Sequence, residues 1–347
     1  MSRQFVSING IGRDGKTYMN RRRIRLSLLT VVSVLLVAFS NAPLARAITT
    51  ANGLRVSPVR TDLTITPGKS QVTNVSVTNV TSNTTTLQAV VNDFTASSDE
   101  SGNPAIILDP TKFASDHSLK RYIAPIENFT LAPGQQKIVP VTISIPTSAA
   151  GGGYYAAVRF APASATVGPN QNVALAGSVG SLILVKVPGN IKEQLTIASF
   201  DARHNNTASS FFTTSKNLIA TVRFQNEGNI QEEPFGKILL RNHSGKILAS
   251  YEINNTQPPG NVLPNSIRRF DVALDKVKGF GQYKIEGNFG YGSGGQLLTA
   301  STTFYVVPLS LILGFIILVL VILFLVFGVP RLVKKYNKRV LRKAGRR

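Results

Sequence analysis

The chain offers few groups for catalysis or metal binding. Its three histidines, His117, His204 and His243, have no HExxH-like or His-rich spacing. A metal site would need them to converge from separate loops with carboxylates. There is no cysteine, which removes thiolate ligands, cysteine nucleophiles and disulfides together. Two adjacent acid pairs occur, Asp99-Glu100 in a polar stretch and Glu232-Glu233 before Pro234. Neighbouring residues of a strand point to opposite faces, so neither pair is a ready acid/base couple. No nucleophile-elbow sequence accompanies the serines. Gly290-Tyr291-Gly292-Ser293-Gly294-Gly295 matches GxGxxG by letter. The dinucleotide fingerprint needs a helix next, whereas Leu297–Val307 reads as a strand, so the glycines predict a hairpin turn. The expectation is a non-catalytic protein with no cofactor and no metal. The best candidates for a ligand surface are Tyr154, Tyr155 and Arg159, provided their strand is accessible.

The elements that would carry such a surface show in the charge pattern first. The chain has 347 residues and a formal net charge of +21. Residues 1–47 hold eight basic residues and one acid, and 331–347 hold nine basic residues and no acid. Most of the excess therefore flanks two apolar runs, which points to membrane targeting and away from nucleic acid. Leu26–Phe39 follows Arg21-Arg22-Arg23-Ile24-Arg25 and precedes Ala45-Arg46-Ala47. This predicts a signal peptide over 1–47, cleaved after Ala47, with an uncleaved anchor as the alternative. Met19 begins a conventional signal peptide by itself, so either Met1 or Met19 serves as the start. Leu309–Val329 has no charged side chain over 21 residues, enough to cross a bilayer within the segment 307–330. Arg331, Lys334, Lys335, Lys338 and Arg339 follow and set the topology, with the tail 331–347 cytoplasmic and residues 48–306 outside.

Between these ends the hydrophobic period is two. Val139, Val141, Ile143 and Ile145 alternate with Pro140, Thr142 and Ser144, and Leu218, Ala220, Val222 and Phe224 alternate with Ile219, Thr221 and Arg223. Tyr283, Ile285, Gly287 and Phe289 form a third set. The fold expected is all-β: two tandem immunoglobulin-like β-sandwiches, 48–189 and 190–306, then one transmembrane α-helix. A weak repeat supports the duplication. Val75–Asn79, Ala132-Pro133-Gly134 and Gly153-Tyr154-Tyr155 align with Val222–Asn226, Leu263-Pro264-Asn265 and Gly281-Gln282-Tyr283. Ala96–Lys120 and Pro162–Ala176 fit strands poorly and predict long loops. Seven N-x-S/T sequons read as coincidence in a cysteine-free bacterial surface protein.

The order of features resembles the WxL-interacting proteins of Gram-positive bacterial surfaces. The likeness covers residues 54–188 and is carried by Val56-Ser57-Pro58-Val59-Arg60, Leu63–Gly68, Val75–Asn79 and Gly151–Phe160. It implies a peptidoglycan-binding first domain and a partner-binding second one. The functional expectation is a single-pass surface protein whose partners are cell-wall polymer or a surface protein, besides the lipid bilayer. The alternative is a membrane-tethered envelope assembly chaperone using an open sheet edge, and a surface carbohydrate-active enzyme or protease comes third.

Overall fold

A computed structural model describes residues 53–163 and 178–344. The expected signal peptide with its cleavage after Ala47, and most of the Pro162–Ala176 stretch, lie outside the described residues.

The first sandwich comprises β1 (Leu54–Ser57), β2 (Arg60–Thr64), β3 (Ser70–Asn79), β4 (Thr85–Ala96), β5 (Pro104–Ile106), β6 (Phe129–Leu131), β7 (Gln136–Ser144), β8 (Gly152–Pro162) and β9 (Val179–Val187). One sheet has the order β1-β3-β7 and the other β2-β9-β8-β4-β5, with β6 also on β4. The second comprises β10 (Leu195–His204), β11 (Thr207–Ala208), β12 (Phe211–Phe212), β13 (Leu218–Asn226), β14 (Phe235–Asn242), β15 (Ile247–Ile253), β16 (Ser266–Ala273), β17 (Gly281–Tyr291) and β18 (Gln296–Val306). Its sheets run β11-β10-β13-β16 and β12-β18-β17-β14-β15. The wiring is the same twice. In each sandwich the entering segment contributes to both sheets, β11 being an added hairpin strand on β10, and its last strand lies parallel to the final strand, β2 on β9 and β12 on β18. All other ladders are antiparallel.

Strand period and burial agree. Val139, Val141 and Ile143 are buried while Ile138 is exposed, and Leu218, Ala220, Val222 and Phe224 are all buried. Each sandwich closes on its own core, one around Val75, Leu87, Val141, Phe160 and Ile183, the other around Phe224, Leu240, Ile285, Phe289 and Phe304. The internal repeat has a physical basis. Asn79 and Asn226, each the last residue of its strand, are completely buried. Asn79 Nδ2 donates to Asn83 O (2.7 Å) and Leu131 O (3.1 Å), while its Oδ1 accepts from Thr81 N–H (3.0 Å). Asn226 Nδ2 donates to Ile230 O (2.7 Å) and Val262 O (2.8 Å), and its Oδ1 accepts from Gly228 N–H (2.8 Å). Both backbone carbonyls accept from a turn residue at positive φ, Gly134 N–H at 2.8 Å and Asn265 N–H at 2.9 Å. That left-handed geometry is why Gly or Asn follows Pro there. Burial of Asn79 also takes one sequon out of reach of modification.

The third element of the repeat aligns one residue earlier than the sequence suggests. Tyr154, not Tyr155, matches Tyr283. Both rings lie in their cores, and their hydroxyls donate upstream, to Ala150 O (3.0 Å) and Lys278 O (2.5 Å). Such a tyrosine corner fixes the entry to the penultimate strand. Tyr155 is one residue on and faces the other side of the sheet.

After Val307-Pro308 comes α1 (Leu309–Leu323), a π-helical turn (Phe324–Gly328) and α2 (Val329–Ala344). Leu309–Arg339 is long and apolar enough to cross a membrane, and none of that span is buried against the protein. The 21 apolar residues rise ~31 Å, the thickness of a hydrocarbon core. Arg331, Lys334, Lys335, Lys338 and Arg339 are exposed on the following helix.

Truncating either amide would leave a buried carbonyl, Leu131 O or Ile230 O, without its donor, and Thr81 N–H or Gly228 N–H without its acceptor. Asn79→Ala and Asn226→Ala should each lower stability by about 2–3 kcal/mol. Urea unfolding of residues 53–307 would show this as a reduced midpoint with unchanged slope.

Candidate functional site

The strand carrying Tyr154, Tyr155 and Arg159 is closed on both faces over its first half. Every residue from Gly152 to Val158 is buried. Tyr154 belongs to the first core, where His117 stacks on its ring at 4.7 Å. Tyr155 points outward into a small cluster with Phe94, Ala157, Leu184 and, from the second sandwich, Leu263. Its hydroxyl donates to Gln231 Oε1 (3.0 Å), and burial pushes that phenol far above its usual range. The condition of an accessible strand is thus not met at either tyrosine: β8 is central in its sheet, and the second sandwich covers its outer face. Arg159 is half-buried, donates to Asn92 Oδ1 (3.3 Å), and is held below the usual guanidinium range by burial.

The joint between the sandwiches takes up the remaining sequence candidates. Gly153 N–H donates to Asn229 O (2.8 Å), and the Asn229 side chain donates to Gly151 O (3.2 Å) and Asn190 O (2.8 Å). Gly151 packs so closely on Gly189 that a Cβ would lie 2.8 Å from its Cα, so the connection needs glycine there. Arg60 pairs with Asp62 (2.7 Å) and with Glu233 across the joint, and donates to Pro259 O (2.6 Å). The Ala96–Lys120 stretch contains β5 and is pinned at its base by Asp93, which accepts from Ala114 N–H (3.0 Å) and Lys120 N–H (2.9 Å). Its tip reaches the second sandwich. Glu100 binds Arg223 through two hydrogen bonds and accepts from Arg269 N–H (2.9 Å) at its backbone carbonyl. The Arg223 guanidinium holds the Glu100 carboxyl below its ordinary range. The stretch expected as a long loop is a clamp within the chain.

The acids of each pair have separate tasks. Asp99 accepts from Ser101 in its loop while Glu100 crosses the joint. Glu233 meets Arg60, and Glu232 is buried with Oε1 lacking a hydrogen-bond partner. Burial, reinforced by Glu193, pushes the Glu232 carboxyl up to about 7. His243 meets Gln282 at the β14–β15 turn, and His204 ends β10. Among the described residues no three His, Asp or Glu side chains gather as a metal site. The Gly290–Gly295 run is the β17–β18 hairpin.

Among the described residues several strands end a sheet, and the edge beside the last strand is filled differently in the two sandwiches. In the first sandwich β2 covers Leu182–Lys186 of β9. The β7 edge carries Pro140, and Ala124 N–H caps Thr142 O (3.0 Å). In the second sandwich the clamp caps β16 at Arg269. The β18 edge differs. There β12 covers only Tyr305 and Val306. Tyr305 N–H points to Ser210 O (2.8 Å) on that side. By the alternation of a ladder, Leu297, Thr299, Ser301 and Thr303 turn their N–H and C=O the same way. Gln296–Phe304 carries neither charge nor proline, so it lacks the usual devices that blunt an edge. Sequence reasoning identified this segment as a strand and overlooked the edge. The signal lay in the brevity of the strand-forming run before Leu218 compared with Arg60–Thr64.

Neither family models nor curated proteins match the chain. Among solved structures it is similar to the class 5 fimbriae chaperone CfaA, at 15% identity and TM-score 0.34, covering 74% of this chain and 100% of that one. It is also similar to the Pseudomonas aeruginosa CupB2 chaperone, at 10% identity and TM-score 0.31 over 71% and 98%. The E. coli chaperone DraB gives 15% and 0.28 over 73% and 96%. These are likenesses of sandwich architecture, and the strand order above carries the fold assignment by itself.

Glu232 makes the joint sensitive to pH. Its folded value lies above that of an unfolded glutamate, so the folded state binds more protons between them. Stability is therefore full below about pH 4.5 and falls as pH rises through about 7. Glu232→Gln should remove that fall and stabilise the protein above pH 7 by on the order of 2 kcal/mol. Thermal melts of both forms from pH 4 to pH 8 would check the convergence at the acid end.

Proposed function

We propose that the chain is a non-catalytic, membrane-anchored docking protein of a bacterial envelope that holds a partner polypeptide by strand addition at the β18 edge, as an envelope assembly chaperone would. One observation carries this reading. The two sandwiches share their wiring, yet the first fills the edge of its last strand with five residues of its own chain and the second with two. An added strand would occupy the place that β2 takes in the first sandwich. Its backbone would satisfy the unpaired groups of Leu297, Thr299, Ser301 and Thr303, and the outward side chains would set selectivity. The packed joint and the two-residue connection to α1 support the reading, because both hold the edge in a fixed place.

The polymer-binding expectation raised by the family resemblance makes a different forecast, since it has no use for the β18 backbone. Ser301→Pro removes an N–H that faces the open edge and leaves the ladder to β17 intact. Under strand addition, the full-length protein purified from its membrane brings a stoichiometric polypeptide, and Ser301→Pro and Thr299→Lys each lose it with little change in melting temperature. A partner retained by both variants, or full-length protein that pulls down on purified cell wall equally with and without Ser301→Pro, would overturn the reading.

A further inference from the structure

The end of the second sandwich from which the helix leaves has an unusual surface. Gly281 pairs with Val306, so Phe280 stands beside Val307, two residues before the first helical residue Leu309. At ~3.3 Å per strand residue, it lies within about 7 Å of the helix start along the chain. Val307 N–H donates to Phe212 O (2.8 Å) and Leu309 N–H to Thr213 O (3.3 Å), so the loop Thr213–Asn217 borders the same exit. The pairings Ile219 with Ala273 and Asn242 with Tyr283 bring residues 274–280 and the turn 243–246 to this end as well.

Aromatic side chains here point away from the core. Phe280 is 67% exposed and Phe211 66%, and Phe211 stacks on Tyr305 at 5.1 Å. Their neighbours Phe212, Tyr283 and Phe304 are buried, so the core has already taken the rings it can hold. Around them Lys216, Lys246, Lys276 and Lys278 are exposed. The acid among them, Asp275, is paired with Lys276 at 2.9 Å. The helix supplies a second observation. Membrane spans carry aromatic and basic anchors at their boundaries. The far boundary has Arg331, Lys334, Lys335 and Tyr336, whereas the near one has Tyr305 as its nearest exposed aromatic and no basic residue between Lys284 and Leu309.

We infer that the fold provides the missing anchor: this end of the second sandwich docks on an anionic lipid surface. The inference rests on reading Leu309–Val329 as a membrane span. Phe280 enters the boundary between headgroups and acyl chains, Phe211 and Tyr305 lie at headgroup level, and the lysines face lipid phosphates. Continuity with the span brings these groups to the bilayer, and their charge selects its chemistry.

The chain has no tryptophan, so one introduced indole reports one position. Full-length Phe280→Trp, Leu297→Trp and Leu318→Trp would be reconstituted in phosphatidylcholine–phosphatidylglycerol vesicles with brominated acyl chains. Leu297 lies at the opposite end of β18 and Leu318 within the span. The expected result is strong quenching for Leu318→Trp, several-fold more quenching for Phe280→Trp than for Leu297→Trp, and a blue-shifted Phe280→Trp emission. Adding Lys276→Glu and Lys278→Glu should weaken quenching of Phe280→Trp and leave that of Leu318→Trp unchanged. If Phe280→Trp is as unquenched as Leu297→Trp while Leu318→Trp is quenched, the docking is overturned and the span stands. If Leu318→Trp is also unquenched, the span reading fails and the docking with it.

Discussion

A buried carboxamide ends one strand of each sandwich, Asn79 on β3 and Asn226 on β13, and donates to the buried carbonyls of Leu131 and Ile230. The remaining architecture depends on that bond. It ties the end of that strand to the turn that starts its hydrogen-bonded neighbour in the same sheet, β7 beside β3 and β16 beside β13, and so fixes where that neighbour begins. A cysteine-free sandwich has no disulfide for this purpose. An amide completely removed from water costs several kcal/mol unless every polar atom is paired, so a paired one excludes alternative registers. The tyrosine corners at Tyr154 and Tyr283 act alike at the next crossing, each with a core ring and a hydroxyl on an upstream carbonyl.

With each sandwich so fixed, the joint becomes a packing problem. The first sandwich puts both faces of β8 out of water, which requires the second sandwich and the Ala96–Lys120 stretch to cover the outer one. Apolar contact among Tyr155, Phe94 and Leu263 supplies the non-directional part. The ion pairs of Glu100 with Arg223 and Arg60 with Glu233 supply direction. Half-buried pairs of this kind specify an arrangement more than they stabilise it. Of the residues that first look like a ligand surface, Tyr155 is occupied in joining two parts of one chain, and Tyr154 belongs to the first core.

Much of the fold was legible from the residues. The period of two predicted the strands, because a sheet with one wet face must alternate. The repeat of Val-x-Val-x-Asn and of the Pro-Gly or Pro-Asn turn identified the two sandwiches, since a left-handed turn residue and a capping amide are local requirements. The alignment of Gly153-Tyr154-Tyr155 slipped by one because two successive tyrosines look the same in a string, and only sheet pairing says which faces the core. Tyr155 was misjudged for a related reason. A strand's outer face looks solvated from its own sequence until another domain covers it.

Composition and periodicity alone thus determined the all-β class, the duplication, the apolar helix and the basic segment behind it, since each depends on residue type at short spacing. Tertiary structure alone decided which edge remains unpaired and which side chains surround the start of the helix. Gln296–Phe304 is an ordinary strand by sequence, and among the described residues its outer side is uncovered because β12 stops after two residues. Phe211, Phe280 and Tyr305 are scattered along the chain, and hydrogen-bond register brings them to one end. Both properties are relations between distant segments, and the local preferences of either segment do not contain them.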